Sequence, residues 1–209
     1  MNSKEIRSFT FDVRAEQNEE HGHFLSGQPI VFDEKTDLGW HDEIIERGAL
    51  DDTDLRDVRF LINHNTDMIP LARSRNNNEN STMQMAVNDN GMAIRVDLDT
   101  ENNAESKALY SAVERGDISG MSFMFTVDSD SWDDLESDHP TRRIRAIGKV
   151  FEVSAVTFPA YEATSIQARG LSDALEGAKE SLESARAKKQ KVELEKSKLK
   201  LKYGGPTWN

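Results

Sequence analysis

What constrains this chain most is a hydrophobic period of two that returns again and again before residue 161. RSFTFDVRAE alternates apolar and polar residues and sets Phe9, Phe11 and Val13 on one face of a strand. HGHFLSGQPIVF (21–32) reads as a second strand, with Gly27 and Pro29 at a bend or an edge. DVRFLINHN carries the run Phe60, Leu61, Ile62, and MQMAVNDNGMAIRVDLD reads as a hairpin with Asn90-Gly91 at its turn. GMSFMFTVDSDSW and IRAIGKVFEVSAVTFPAY follow, the second rich in β-branched and aromatic residues and closed by Pro159. A helical pattern intervenes only briefly. It shows in a turn with Ile44, Ile45 and Leu50 on its apolar side, and in ENNAESKALYSAVERGD (101–117), where Ala108, Leu109, Ala112 and Val113 form a stripe that Gly116 ends. Most neighbouring strands have no crossover helix between them. The pattern therefore predicts an α+β body of roughly seven strands and one or two helices, mostly antiparallel, as a sheet or a barrel.

After Gly170 the period changes. LSDALEGAKESLESARAKKQKVELEKSKLKLK has no aromatic residue and a thin apolar stripe at Leu171, Ala174, Leu175, Ala178 and Leu182. That pattern predicts a long charged helix, marginal in isolation. The expected division is a body at 1–165 and a charged helical tail at 166–209, with the boundary between Thr164 and Gly170. From Lys188 onward seven lysines face two glutamates, a net of +5 in a chain whose total is −12, so residues 1–187 carry −17. An acidic body with a basic arm suits an interaction tail as well as it suits a solvated helix face. The negative total argues against broad nucleic-acid binding. The absence of cysteine removes disulfides, thiolate metal sites and cysteine nucleophiles together. MNSKEIRSFTFDVRAE has no continuous apolar stretch of the kind a secretory signal needs, and no run approaches a membrane span. The expectation is a soluble protein of the cytoplasm, or one packaged inside something assembled there, with no membrane partner.

Hydrolysis of an acyl bond without metal or cysteine needs a hydroxyl nucleophile, a base for its proton and a group that orients the base. Five histidines are available. His64 ends an apolar strand, where a rigid element holds it at a cleft; the same place suits a partly exposed strand-end histidine. His21 and His23 share a strand face at a spacing that suits a metal, but no third ligand lies near, so no metal and no cofactor are expected. His41, followed by Asp42 and Glu43, reads as solvated, and His139 sits in a polar loop before Pro140. Ser122 lies among Met121, Phe123, Met124 and Phe125, in a strand entered through Gly120. It is either a positioned nucleophile or a serine on the wet face of an amphipathic strand; Ser119 lies within the turn itself. Glu152 is a carboxylate in a strongly apolar strand, which calls for a partner, either a histidine or a basic side chain. There is no phosphate-binding glycine loop, no GxSxG elbow and no HExxH helix, which removes the kinase, α/β-hydrolase and zincin readings.

Three segments in this order, DVRFLINHN, RGDISGMSFMF and FEVSAVTFPAYEAT, together with GQPIVFDE, ERGAL and IPLARS, resemble the prohead maturation protease family of tailed bacteriophages. The resemblance runs from about Phe9 to Thr164 and leaves out the tail. It implies a fold like that of the herpesvirus assemblin proteases, a β-barrel flanked by helices, here with a long charged C-terminal helix. It implies a serine endopeptidase that removes the scaffolding segment of the major capsid protein and cuts itself. The NH histidine corresponds to His64, the GMSF serine to Ser122 and the EVS acid to Glu152. Assemblin-like enzymes use a second histidine as third member, which makes His139 the alternative. Backbone amides near Gly120, or the guanidinium groups of Arg142 and Arg143, are the oxyanion candidates. Met124 stands where the family more often has glycine, and either narrows the site or packs. The implied partners are the major capsid protein, portal or scaffold proteins, and further copies of the chain, inside the prohead in the host cytoplasm. Two other classes stay open: a capsid-assembly scaffold that keeps the fold without activity, and an acidic β-rich binding module.

Overall fold

The computed structural model of the chain describes residues 4–9, 13–157 and 168–203. Its spine is a long hairpin of β10 (Gly120–Asp133) and β11 (Thr141–Val156). β1 (Lys4–Phe9) pairs antiparallel with β10 on the outer side. β11 is long enough to serve two further partners in turn. Its first part runs parallel to β5 (Asp42–Ile45), which carries β4 (Lys35–Asp37). Its last part runs parallel to β6 (Asp57–Ile62), which carries β7 (Ala72–Arg75). A second, four-stranded sheet has the order β2 (Arg14–Asn18), β3 (Gly22–Val31), β9 (Gly91–Asp97), β8 (Met83–Asn88). Among the described residues two helices complete the fold, α1 (Ala104–Glu114) and α2 (Ala168–Tyr203).

The α+β class and the antiparallel majority agree with the sequence pattern. Two features differ from it. Among the described residues the strands form two sheets, and neither closes into a barrel. Ile44 and Ile45, read as the face of a helical turn, lie on β5. An apolar pair three residues from the nearest glycine carries no period of its own, and its ladder partner lies in β11, nearly a hundred residues on. The strands KTD and ARSR have no apolar alternation and are set by their neighbours, and RSFTFDVRAE, which reads as one strand, contributes to both β1 and β2, in different sheets. Pro159, the start of the boundary at Thr164 and the end GGPTWN lie outside the described residues.

The core forms where the inner faces of the sheets meet. Leu25, Ile30, Phe60, Met83, Met92, Met121, Phe123 and Val153 are buried there, and α1 adds Leu109 and Val113. Each such side chain contributes roughly 1.5–3 kcal/mol by leaving water. α1 starts at the N-cap Asn103, whose side chain accepts from the amides of Glu105 and Ser106, and Gly116 follows its end at φ +78°. In the β8–β9 hairpin Gly91 is the first residue of the returning strand. A Cβ there would lie 1.9 Å from the Ile30 carbonyl oxygen, so the position requires glycine.

A second packing unit ties the tail to the body. Trp132, Ala178 and Leu182 are buried together, with Trp40, Leu135 and Ala185 against them. Ser181 of α2 accepts from Trp132 Nε1 (3.0 Å) and donates to Asp130 Oδ2 (2.8 Å). Beneath lies a buried ionic network. Arg142 donates to Asp130 (2.7 Å), to both oxygens of Glu5 (2.7 and 3.0 Å) and to Glu43 (3.4 Å). Arg7 donates to Glu5 (2.6 Å) and through two nitrogens to Glu43. His41, read from sequence as solvated, is fully buried here, its ring 4.0 Å from Trp40 and 5.4 Å from Trp132.

This network makes stability depend on pH. Burial pushes the His41 imidazole below its ordinary value against the pull of Glu43. Burial also opposes ionisation of Glu43, but the charges of Arg7 and Arg142 outweigh it and hold that carboxyl well below the usual carboxylate range. In both groups the folded pKa lies below the unfolded one, so on acidification the unfolded chain takes up protons first. The stabilisation is complete above about pH 6.5; it is lost first through His41 and then, below about pH 4.3, through Glu43. The midpoint of thermal unfolding, followed by tryptophan fluorescence, is expected to be flat near neutrality, to sag below about pH 6 and to drop steeply below about pH 4. A midpoint that rises on acidification would contradict this assignment.

Candidate active site

β10, β11 and β6 lie side by side in one sheet. Across them Ser122 stands opposite Ser154 and Ser154 opposite Leu61; one step along, Met124 stands opposite Glu152 and Glu152 opposite Arg59. Side chains alternate along a strand, so Ser122, Met124, Glu152 and Ser154 share one face while Met121, Phe123, Val153 and Ala155 point into the core. Ser122 is therefore off the core face, yet its exposure is 0%. That excludes the reading of a serine on the wet side of an amphipathic strand.

His64 arrives from β6 through a turn that an ordinary loop would avoid. Asn63 and His64 both have left-handed backbone angles, φ +51° and +56°. Such residues cost roughly 1–3 kcal/mol each and persist where their surroundings fix them. Here Asn63 N donates to the Ala155 carbonyl (2.9 Å). Its side chain donates to Thr157 Oγ1 (3.0 Å) and accepts from Thr157 N (2.9 Å). The amide of His64 donates to Ser154 Oγ (3.1 Å). The result places His64 Nδ1 2.5 Å from Glu152 Oε1, while the other oxygen of Glu152 accepts from Ser154 Oγ at 2.5 Å. A carboxylate at Nδ1 selects the tautomer with its proton there and leaves Nε2 as an acceptor. His64 Nε2 is buried and has no hydrogen-bond partner among the described residues.

The Ser122 hydroxyl donates to the carbonyl of Arg7 in β1 at 2.7 Å. Ser122 and His64 thus flank Ser154, one strand away on either side, without a hydrogen bond between them. Any proton transfer between them requires the hydroxyl to leave the β1 carbonyl.

A model of the family described as caudovirus prohead serine protease matches residues 9–177. The chain belongs to that family. His64, Ser122 and Glu152 all fall inside the matched span, which also reaches into the first turns of α2. No curated protein matches the sequence. Among solved structures, the capsid assembly protease gp21 of bacteriophage T4 is similar at 12% identity, over 73% of this chain and 98% of that one, with a TM-score of 0.36.

The remaining candidates in this prohead protease family member lie elsewhere. His139 Nε2 donates to Asp42 Oδ1 at 3.0 Å, at the far end of the β10–β11 hairpin from Glu152, so the structure does not bring it to His64. Asp37, Asp42 and His139 are the one group among the described residues whose ligand atoms lie close enough for a metal, within 4.8 Å of one another. The Lys35 ammonium, 2.8 Å from Asp42, already neutralises it. His23 pairs with Thr100 Oγ1 (2.9 Å) and packs edge-on to Tyr110, and His21 packs edge-on to Phe24. Arg142 is committed to the buried network, and Arg143 to Asp133 (2.6 Å) and Glu46 (3.5 Å), so neither guanidinium is placed as an oxyanion donor. Gly120 is buried at the start of β10, and Ser119 is exposed in the turn before it. Met124 sits across the ladder from Glu152. Two residues escaped the sequence reading, Ser154 and Asn63. The only signal was their place in the EVS and NHN segments.

Proposed function

We propose that the chain is a serine endopeptidase of the phage prohead, acting on the scaffolding segment of the major capsid protein and on itself. Ser122 Oγ attacks a peptide carbonyl as His64 Nε2 takes its proton; Glu152 holds the ring in the required tautomer and stabilises the imidazolium. The amine leaves with the proton from His64, and water, activated by the same nitrogen, resolves the acyl-enzyme. Backbone amides beside Gly120 are the donors nearest in sequence to the nucleophile for the oxyanion. The observation that carries the reading is a half-buried imidazole, fixed at Nδ1 by a carboxylate and held on a strained turn, whose buried Nε2 has no partner among the described residues. The tail supports a second role. α2 docks through Ala178 and Leu182, whereas Val192, Leu194 and Leu199 stay exposed. That part of the helix is suited to tether the enzyme among partner helices of the scaffold or among other copies. Self-cleavage is expected between Thr164 and Lys189. Among the described residues no helix is long and apolar enough to cross a membrane.

Co-expression with the cognate capsid protein tests the activity. Intact mass is expected to show a shortened capsid protein and a shortened enzyme with the wild type, and full-length species with Ser122→Ala. Processing by Ser122→Ala at the wild-type rate would end the assignment. The hydrogen bond from Ser122 to Arg7 favours one rival, a scaffold that keeps the fold without activity. A fluorophosphonate that labels Ser122 in wild type and not in His64→Ala separates the two.

A further inference from the structure

A cavity of about 460 Å³ lies between α1 and the turn that carries His64. Its floor is α1, which presents Ala108, Leu109 and Ala112 on one face, with Glu105 one turn earlier at the same face. Its walls are Ile62, Met68 and Ile118. Small side chains at 108 and 112 leave the space hollow, and Ile62, Met68, Ala112 and Ile118 keep part of their apolar surface uncovered. The next residue along the loop, Ile69, is 79% exposed. At the rim Asn63 is clamped to Thr157, Asn65 Oδ1 accepts from Asp67 N at 3.1 Å, and the exposed Glu105 carboxylate stands at one edge. Between them the surface offered to an occupant is mainly hydrocarbon.

Position matters as much as lining. Asn63 and Asn65 are the two neighbours of His64, and Ile118 lies four residues before Ser122. The cavity therefore abuts both segments that carry the reactive groups. A polypeptide bound in extended form advances about 3.3 Å per residue and turns alternate side chains to the same side, so a residue close to the bond being cut reaches such a pocket. A pocket of this kind gives specificity through a hydrocarbon side chain and discriminates sizes by about 10–200-fold.

We propose that this cavity is the specificity subsite for one aliphatic side chain of the substrate, leucine, isoleucine, methionine or valine, within about three residues of the scissile bond. The inference rests on the peptidase reading above and adds the substrate class to it. Ala108 and Ala112 set its depth, and Ile62 its width.

The test is a peptide-library digest with the full chain, in which new termini are read by mass spectrometry. The wild type is expected to show aliphatic enrichment at one fixed position near the cut. Ala112→Phe and Ala108→Phe are expected to lower kcat/KM at those sites at least tenfold, mainly through KM. Ile62→Ala is expected to admit larger side chains there. Circular dichroism checks folding, and Ala108, being exposed, is the safer of the filled variants. Absence of aliphatic enrichment, or an unchanged profile in both filled variants, overturns the inference. A second readout does not depend on catalysis. N-acetyl-leucinamide is expected to shift the methyl signals of Met68 and Ile118 saturably, N-acetyl-aspartamide is not, and Ala112→Phe is expected to abolish the effect. If the wild type neither cleaves peptides nor takes a fluorophosphonate label, the peptidase reading fails, and the titration alone then decides: no shift at Met68 or Ile118 overturns the subsite as well.

Discussion

His64→Ala is expected to lower the rate of capsid-protein cleavage by about 10⁶-fold, as much as loss of the nucleophile itself, because serine and base act as one unit. Glu152→Gln is expected to cost less, about 10⁴-fold. The difference follows from geometry. Glutamine keeps the size of Glu152 and still offers an oxygen, but it also brings an amide donor into a site where Nδ1 and Ser154 Oγ both now meet carboxylate oxygens. The ring is then free to carry its proton at Nε2, where the base is needed, and most encounters with Ser122 are wasted. Single-turnover cleavage of purified capsid precursor by the two variants, with Ser122→Ala as the floor, gives the comparison. Equal losses in His64→Ala and Glu152→Gln would mean that Glu152 does more than orient. A loss under tenfold in either would remove that residue from the mechanism. Ser154→Ala is intermediate in kind: it takes one hydrogen bond from Glu152 and one from the His64 amide, leaving both groups in place.

Those hydrogen bonds also mark where sequence reading runs out. The period of two was enough to place Ser122 and Glu152 on strands and His64 at a strand end, because it needs only neighbours along the chain. The contact that makes them a site is the parallel pairing of β6 with β11, which sets the His64 amide against Ser154 across ninety residues. Nothing local encodes that register. The left-handed pair Asn63 and His64 was equally hidden, since asparagine tolerates such angles but does not require them. His41 was misread for the opposite reason. Its neighbours Asp42 and Glu43 look solvated, yet Glu43 is buried against two arginines and His41 lies between two tryptophans. By sequence Arg142 and Arg143 are oxyanion candidates beside the amides near Gly120, but acids on other strands claim both guanidinium groups, Glu5 from the far end of the chain among them.

Arg142 is where the second large effect is expected, on stability. Its guanidinium is almost fully buried and joins Glu5, Glu43 and Asp130, residues of three different strands. Arg142→Met keeps the length of the side chain but strands three carboxylates beside a single remaining cation, Arg7. Removing one partner from a buried ion network typically costs about 3–5 kcal/mol, because the charges left behind are neither solvated nor fully compensated. That is a large share of a total that is usually about 5–15 kcal/mol. The midpoint of thermal unfolding is expected to fall by about 10 °C or more. Arg115→Met, which breaks an exposed pair with Asp117, is the control and is expected to change stability by under about 1 kcal/mol. Adding Glu5→Gln to Arg142→Met should restore part of the loss, since it removes one of the stranded charges. The effect also reaches the candidate active site by a physical route. Glu5 and Arg7 belong to β1, and the Arg7 carbonyl holds the Ser122 hydroxyl. Hydrogen exchange in Arg142→Met is therefore expected to accelerate first at the β1 amides while the β3–β9 ladder keeps its protection. Uniform acceleration through both sheets would mean that the network supports the whole body and has no special hold on the strand beside the nucleophile.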